Sequence, residues 1–362
     1  MIYRILNAIV EKIESNSDYY NTISSGENFE SLVLEVAKST ELQNIILNAE
    51  DNGKHAFPDV RIQTIEGKWY GLEVKFSNSG HWNSLGNSIF ESVKSKEEKE
   101  FDYEDIFLIF GRKPAKKEEV KNLEAKFDLY TNILKKIEVT HSPRFSIDMN
   151  LSNNSVFSDS NLSYYQFRQK SNAEKVSFLK DYFKKNITEN RWYTQEEQDT
   201  EVSPALINEM DKSNRNKLMA EGFILFPNDL FSESSTKYHK LAKYYMNEYF
   251  AFSSSLRDMF SASGRMEFGS NNFSYSKVVY HFYRLRGDIE SVLLEENEEF
   301  IKICQKYWSD IPYFSYNEDE TLEINYLMLL IEISNNIVVD SNFFGKNNTK
   351  MISLDKVFLN QV

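Results

Sequence analysis

The chain has 362 residues, with 42 Lys and Arg against 55 Asp and Glu and a formal charge of −13. Hydrophobic residues at 41% and aromatics at 14% carry too much core-forming side chain for a disordered protein, while 12 Gly and 6 Pro are too few for a collagen-like or linker-dominated one. The length exceeds what one hydrophobic core usually serves, so two domains are expected, at 1–150 and 151–362.

The N-terminal MIYRILNAIVEKIES is interrupted by Arg4, Asn7 and Glu11 at helical spacing, which predicts an amphipathic helix over Ile2 to Ile13 and no secretory leader. A second helix is expected from about Glu27 to Asn48, with Phe29, Leu32, Val33, Val36 and Ala37 on one apolar face. Gly53 and Pro58 end it. Two alternating stretches, Phe57 to Ile65 and Trp69 to Ser77, flank Glu66-Gly67-Lys68 and predict a hairpin. Next come a helix from about Ser88 to Lys99, a strand from Asp105 to Phe110, a Lys/Glu-rich helix over roughly Lys116 to Lys136, and strands near Ile137 to Thr140 and Phe145 to Met149. This order makes the first half a mixed α/β unit.

Residues 150–163, rich in Ser and Asn without apolar period, mark the expected boundary. Beyond them, helical patterns occupy about 172–185, 204–220, 235–262, 275–285, 287–308 and 321–335, so the second half is expected to be mainly α-helical. The longest uninterrupted apolar run, Tyr326 to Ile331, has six residues, against the roughly 18 that a membrane span requires. The single cysteine, Cys304, can form neither an intrachain disulfide nor a thiolate metal cluster and fits a reducing compartment. A soluble, cytoplasmic protein with no membrane partner is the expectation.

The chemistry concentrates in FPDVRIQTIEGKWYGLEVKFSNSGHW, residues 57–82. At period two, Asp59, Arg61 and Gln63 share one face of the first strand, and Glu73, Lys75 and Ser77 share one face of the second. With a loop of residues 66–68, Asp59 lies opposite Lys75 and Arg61 opposite Glu73, so that Asp59 and Glu73 are diagonal neighbours. Gly67 then occupies the middle of the loop and not its third position, where such loops usually want it; a two-residue loop would send the acids to opposite faces. Two carboxylates and an ammonium at the end of a hairpin form a hard-oxygen site suited to Mg2+, completed by water and phosphate oxygens. Such a site can hydrolyse a phosphodiester. A wet hairpin face held by cross-strand ion pairs would use the same residue types.

Pro58-Asp59 followed by Glu73-Val74-Lys75 resembles the Pro-Asp…(Asp/Glu)-x-Lys signature of the nuclease superfamily that includes type II restriction endonucleases. The resemblance implies a restriction-endonuclease-like α/β (α+β) core, with a mixed central sheet flanked by helices, and a mainly α-helical second domain for target recognition, dimerisation or both. It implies that Asp59 and Glu73 are metal ligands and that Lys75 orients water or stabilises charge. Members often add a glutamate from the preceding helix; Glu30 is the candidate and Glu35 the runner-up. The implied activity is magnesium-dependent cleavage of double-stranded DNA, with a homodimer matching symmetric targets and a cognate DNA methyltransferase encoded nearby. A structure-specific or phage-defence nuclease and a non-catalytic DNA-binding module are the alternatives.

Net charge alone argues against a nucleic-acid partner. Locally, Arg112 to Arg144 carries nine basic residues against five acidic, which fits a solvated face or a phosphate-facing strip. Candidate DNA contacts follow Lys75 directly: Ser77, Asn78, His81, Asn83 and Asn87, with Ser84 or Asn87 placed to cap a helix whose N-terminus would attract phosphate. His141, Ser142 and Arg144 combine hydroxyl and basic groups, and Arg284 and Arg286 sit among aromatics; a plain turn and a core helix with a basic edge are the simpler readings. The five histidines show no paired zinc spacing, and there is no P-loop or dinucleotide glycine fingerprint.

Overall fold

The computed structural model describes residues 1–53, 56–90, 102–114, 122–186, 205–269, 273–295, 297–336 and 353–361. Contacts divide the chain into two compact units, Met1–Glu138 with Arg144–Lys175, and Val139–Pro143 with Val176–Val362. The first unit therefore continues past the Ser/Asn-rich segment at 150–163, the boundary expected from composition.

The first unit opens with α1 (Ile2–Ser15), α2 (Asp18–Thr22) and α3 (Gly26–Ala37). Ser25 caps α3 by accepting from the Asn28 N–H at 3.2 Å, and the apolar stripe Phe29, Leu32, Val33, Val36 and Ala37 is buried. The helix is shorter than expected: Ser39-Thr40 breaks it, and Ile46–Asp51 forms β1. Its few apolar residues carry no clear period, so β1 is recruited by pairing antiparallel with β2 (Val60–Thr64). Strand β2 pairs antiparallel with β3 (Trp69–Ser77).

The hairpin register differs from the expected one by two residues. Val60 faces Leu72, Gln63 faces Trp69, and the Thr64 N–H donates to the Lys68 carbonyl at 2.9 Å. The loop is thus Ile65-Glu66-Gly67, with Gly67 third at φ 82°, the left-handed position that such loops reserve for glycine. A two-residue shift keeps every side chain on its face, so the polar face survives the correction.

Strand β4 (Asn83–Ser88) is followed by β5 (Tyr103–Arg112), β6 (Glu124–Leu129), β7 (Leu134–Val139) and β8 (Pro143–Asp148). The central sheet has the order β1-β2-β3-β5-β6 and is mixed, with β3 and β5 parallel and the other pairs antiparallel. Strands β4, β8 and β7 make a second, three-stranded sheet. Two expectations are overturned. Residues 122–136 hold no α-helix: Leu123, Phe127, Tyr130 and Leu134 imitate helical spacing, but the edge of β5 offers β6 a ladder from Arg112–Glu124 to Phe107–Leu129, and Tyr130–Ile133 form a short 3-10 turn before β7. Ser84 and Asn87 lie within β4 and cap no helix; residues 91–101 and 115–121, where parts of the expected helices fall, lie outside the described residues.

One face of the central sheet, with Val60, Ile62, Leu72, Val74, Phe107 and Ile109, packs in a common core with α1 and α3. By alternation the other face carries Glu73 and Lys75, together with Ile106, Leu108 and Phe110. Aromatics assemble around Phe57: Tyr130 at 6.0 Å and Tyr164 at 5.7 Å between ring centroids, Tyr164 belonging to α4 (Tyr164–Gln169), which precedes α5 (Asn172–Asn186). Gly71 admits Pro58 here, since a Cβ at 71 would stand 2.5 Å from Pro58 Cγ and 3.2 Å from Ile106 Cγ1. Gly71→Ala is expected to cost about 1–3 kcal/mol, measured by urea unfolding, because the rigid Pro58 ring must retreat. An unchanged midpoint would show that the segment yields freely.

In the second unit β9 (Ala205–Leu206) pairs parallel with β10 (Ala251–Phe252). Around them lie α6 (Lys212–Leu225), α7 (Pro227–Leu230), α8 (His239–Tyr249), α9 (Leu256–Ser261), the β11 (Arg265–Phe268) and β12 (Phe273–Ser276) hairpin, α10 (Lys277–Arg284), α11 (Arg286–Leu294), α12 (Glu298–Trp308), α13 (Leu322–Asn336) and α14 (Leu354–Phe358). The long patterns read from sequence are divided by caps. Phe250, at φ 47°, ends α8, and Asn297 starts α12 by accepting from the Glu299 and Phe300 N–H groups. Trp308 Nε1 donates to the Ile224 carbonyl at 2.9 Å and Tyr326 Oη to that of Phe223 at 3.1 Å, tying three helices into one core. No helix among the described residues is long and apolar enough to cross a membrane.

Candidate metal centre

The corrected register makes Asp59 and Glu73 near-opposite neighbours, one step beyond the Val60–Leu72 pair. Asp59 precedes β2 and is tied to β3 through its side chain, whose Oδ2 accepts the Val74 N–H at 2.7 Å. Glu73 is 0% exposed. Its Oε1 accepts from Lys75 Nζ, while its Oε2 is buried and has no hydrogen-bond partner among the described residues.

Burial, reinforced by the charge of Glu73, pushes Asp59 up to about 8, against the opposing pull of Lys75 and the Val74 N–H. Burial works against the Lys75 ammonium, yet the charges of Glu73 and Asp59 outweigh it and hold Lys75 above the ordinary lysine value. At neutral pH Asp59 thus keeps its proton and Lys75 its positive charge. Lys75 is consequently a hydrogen-bond donor and fixed positive charge, not a proton acceptor.

Of the two helix glutamates, Glu30 is the one engaged. Burial pushes its carboxyl up, with Glu73, Glu27 and Asp51 adding to the effect and Lys75 opposing it. Phe29 beside it stacks on Phe76 at 5.3 Å, which docks the first turn of α3 against the end of β3. Glu35 lies on the exposed side of α3.

The charges and the orphaned oxygen fit a divalent cation. Among the described residues, no group of three or more His, Cys, Asp or Glu side chains is gathered to hold a metal by itself. Two carboxylates suit Mg2+, which binds through one or two of them and leaves the remaining positions to water and phosphate oxygens. The buried Oε2 of Glu73 would be one ligand to such an ion, and an Asp59 oxygen, once the ion displaced its proton, a second.

The other expected contacts are more scattered. Ser77 Oγ bonds Ser79, and Asn78 Nδ2 donates to the Ser24 carbonyl at 2.7 Å, so both help close the loop after β3. His81 and Asn83 are exposed and Asn87 is half-buried on β4. Ser142 is 1% exposed and its carbonyl accepts from Thr140, which removes it from any surface contact; His141 and Arg144 are half-buried beside it. Ser142 is drawn in because the 139–143 turn packs with the second unit, where the Leu256 N–H donates to the His141 carbonyl at 3.0 Å. Arg284 is exposed, whereas Arg286 stacks on Tyr283 at 4.4 Å and donates to its carbonyl. Within the basic run, Arg112 pairs with Glu124, donates to the Gly80 carbonyl and lies 4.5 Å from the Trp82 ring centroid, while Lys135 pairs with Asp148 and Lys136 with Glu138.

Sequence reasoning passed over two groups. Tyr130 Oη is fully buried without a hydrogen-bond partner among the described residues, and burial, with Tyr164, Glu73 and Asp59, pushes its phenol well above the usual range. Asn52 bonds the backbone on either side of the Pro58–Asp59 peptide. The helix expected over roughly 116–136 hides Tyr130 from a local reading; nothing in the local pattern singles out Asn52 beyond the turn-forming Asn52-Gly53 pair. No protein-family model matches the chain, and no curated protein matches it.

Proposed function

We propose that this chain is a magnesium-dependent endonuclease that hydrolyses phosphodiester bonds of double-stranded DNA, of the restriction type. The observation that carries the reading is the buried Oε2 of Glu73, without a hydrogen-bond partner among the described residues, beside Asp59 and Lys75. An unsatisfied buried polar oxygen costs about 1–3 kcal/mol, more for an ionised one, and a cation offsets that cost. The order α3, β2–β3 hairpin, then β5 parallel to β3 also supports a restriction-endonuclease-like core.

Asp59 and Glu73 would hold the ion, which when bound neutralises phosphoryl oxygens and acidifies a water. Lys75, charged at neutral pH, donates to the attacking water or to the oxygen on which negative charge grows. Its bond to Glu73 fixes the ammonium in the pocket beforehand, so little rearrangement is needed when charge develops. Glu30 extends the acidic rim from α3 and would hold a water of the metal shell. Under this reading the exposed His81 and Asn83 follow the catalytic strand toward DNA, Arg284 offers a second basic contact, and two copies of the chain act on symmetric DNA.

The test is cleavage of plasmid DNA with Mg2+ by the wild type beside Asp59→Ala. Cutting by the wild type alone is expected, with discrete fragments marking sequence specificity. Smearing or a preference for junctions would assign a structure-specific nuclease instead. Equal behaviour of the two proteins overturns the assignment.

A further inference from the structure

Asp59 lies just outside the ladder that fixes β2, whose first pairs are Val60 with Asp51 and Val60 with Leu72. The next position in that register, Asn52 opposite Asp59, extends the pairing by one backbone bond, and among the described residues Asn52 adds a side-chain bond to it. Asn52, 7% exposed, donates its backbone N–H to the Asp59 carbonyl at 3.0 Å and its Nδ2 to the Pro58 carbonyl at 3.0 Å. Its Oδ1 in turn accepts from Arg61 Nη1 at 3.3 Å. Arg61, also 7% exposed, is held by Glu50, to which its Nε donates at 3.0 Å, and its guanidinium carbon stands 5.9 Å from the Trp69 ring centroid. The carboxamide has both ends used and so a single orientation. Between its backbone N–H and its carboxamide, Asn52 takes the two consecutive carbonyls that set where the Asp59 side chain leaves the backbone.

Resting on the nuclease reading, we infer that Asn52 is a positioning residue for the metal centre, acting through the Pro58–Asp59 backbone to keep Asp59 within reach of the ion that Glu73 binds. Groups that orient metal ligands without touching the metal typically change affinity or activity by about 10- to 100-fold when removed. The side-chain bond to Pro58 is the part a substitution can delete, since the backbone bond to Asp59 remains.

The variants are Asn52→Ala and Asn52→Asp. The aspartate keeps an acceptor for Arg61, and with it the fold, but cannot donate to Pro58. Thermal unfolding followed across a Mg2+ titration, with no DNA present, reads metal affinity; single-turnover plasmid cleavage across the same titration reads function. The Mg2+ concentration giving half the response is expected to rise about 10-fold in both variants in both assays, with cleavage largely restored at saturating Mg2+. A purely structural role would lower the metal-free unfolding temperature and leave the half-response concentration unchanged, and that result overturns the inference while the nuclease reading stands. A wild type whose unfolding and cleavage both ignore Mg2+ overturns the reading and the inference together.

Discussion

Lys75→Met is expected to lower single-turnover DNA cleavage by about 10²–10⁴-fold at saturating Mg2+, because on the nuclease reading it removes the cation beside Glu73 that faces the position where charge would develop. The same change has a separate signature without DNA. Lys75 donates to Glu73, whose side chain is 1% exposed, and its charge opposes the raised pKa of Asp59. Deleting one partner of a buried ion pair leaves the other uncompensated, at about 3 kcal/mol. Metal-free Lys75→Met should therefore unfold at lower urea concentration than the wild type. Millimolar Mg2+ should recover much of the loss, because the ion restores positive charge beside Glu73, yet cleavage should stay low. If the variant cuts at the wild-type rate, Lys75 has no part in the chemistry; if Mg2+ restores no stability, the two carboxylates do not hold the ion.

Asp59→Asn is expected to stabilise the metal-free protein at high pH while abolishing its response to Mg2+. The sign follows from proton binding. In the folded chain burial and Glu73 raise Asp59 to about 8, above the ordinary value of 3.8 that it regains on unfolding. Between those values the folded state keeps a proton that the unfolded state releases, so wild-type stability falls as pH rises from about 4 to about 8 and levels off outside that window. Asparagine cannot ionise, so the variant lacks this slope. The two proteins should match near pH 4, and by pH 8 the variant should be more stable by on the order of 2–4 kcal/mol. Urea unfolding at pH 4.5, 6 and 8 measures the slope directly. With Mg2+ present the order should reverse, since only the wild type can exchange the Asp59 proton for the ion. Parallel pH profiles for the two proteins would show that Asp59 ionises freely in the fold.

Both expectations rest on residues that could be found by reading. Alternation through Val60–Thr64 and Trp69–Ser77 assigned Glu73 and Lys75 to one face, and the Pro58-Asp59 and Glu73-Val74-Lys75 pair marked the acids and the ammonium. The buried stripe of α3 was visible for the same reason, because a periodic pattern needs no partner to be recognised. Strands β1 and β4 were not visible: Asn83–Ser88 is polar throughout apart from Leu85 and Gly86, and it becomes a strand by pairing with β8. Residues 124–129 read as helix on spacing alone, and hydrogen bonding along β5 decides otherwise.

What the amino-acid order determined by itself is which side chains share a face, since side-chain direction depends on a period of two or 3.6 residues and on nothing farther away. The tertiary structure decided where those faces meet. It set the hairpin register through the left-handed Gly67, engaged Glu30 in place of Glu35 through the docking of Phe29 on Phe76, and withdrew Ser142 from the surface. It also brought Asn52 onto the Pro58 and Asp59 carbonyls. Each of these depends on a group distant along the chain satisfying a hydrogen bond or filling a space, and no local pattern encodes the distance between two segments once the chain has folded.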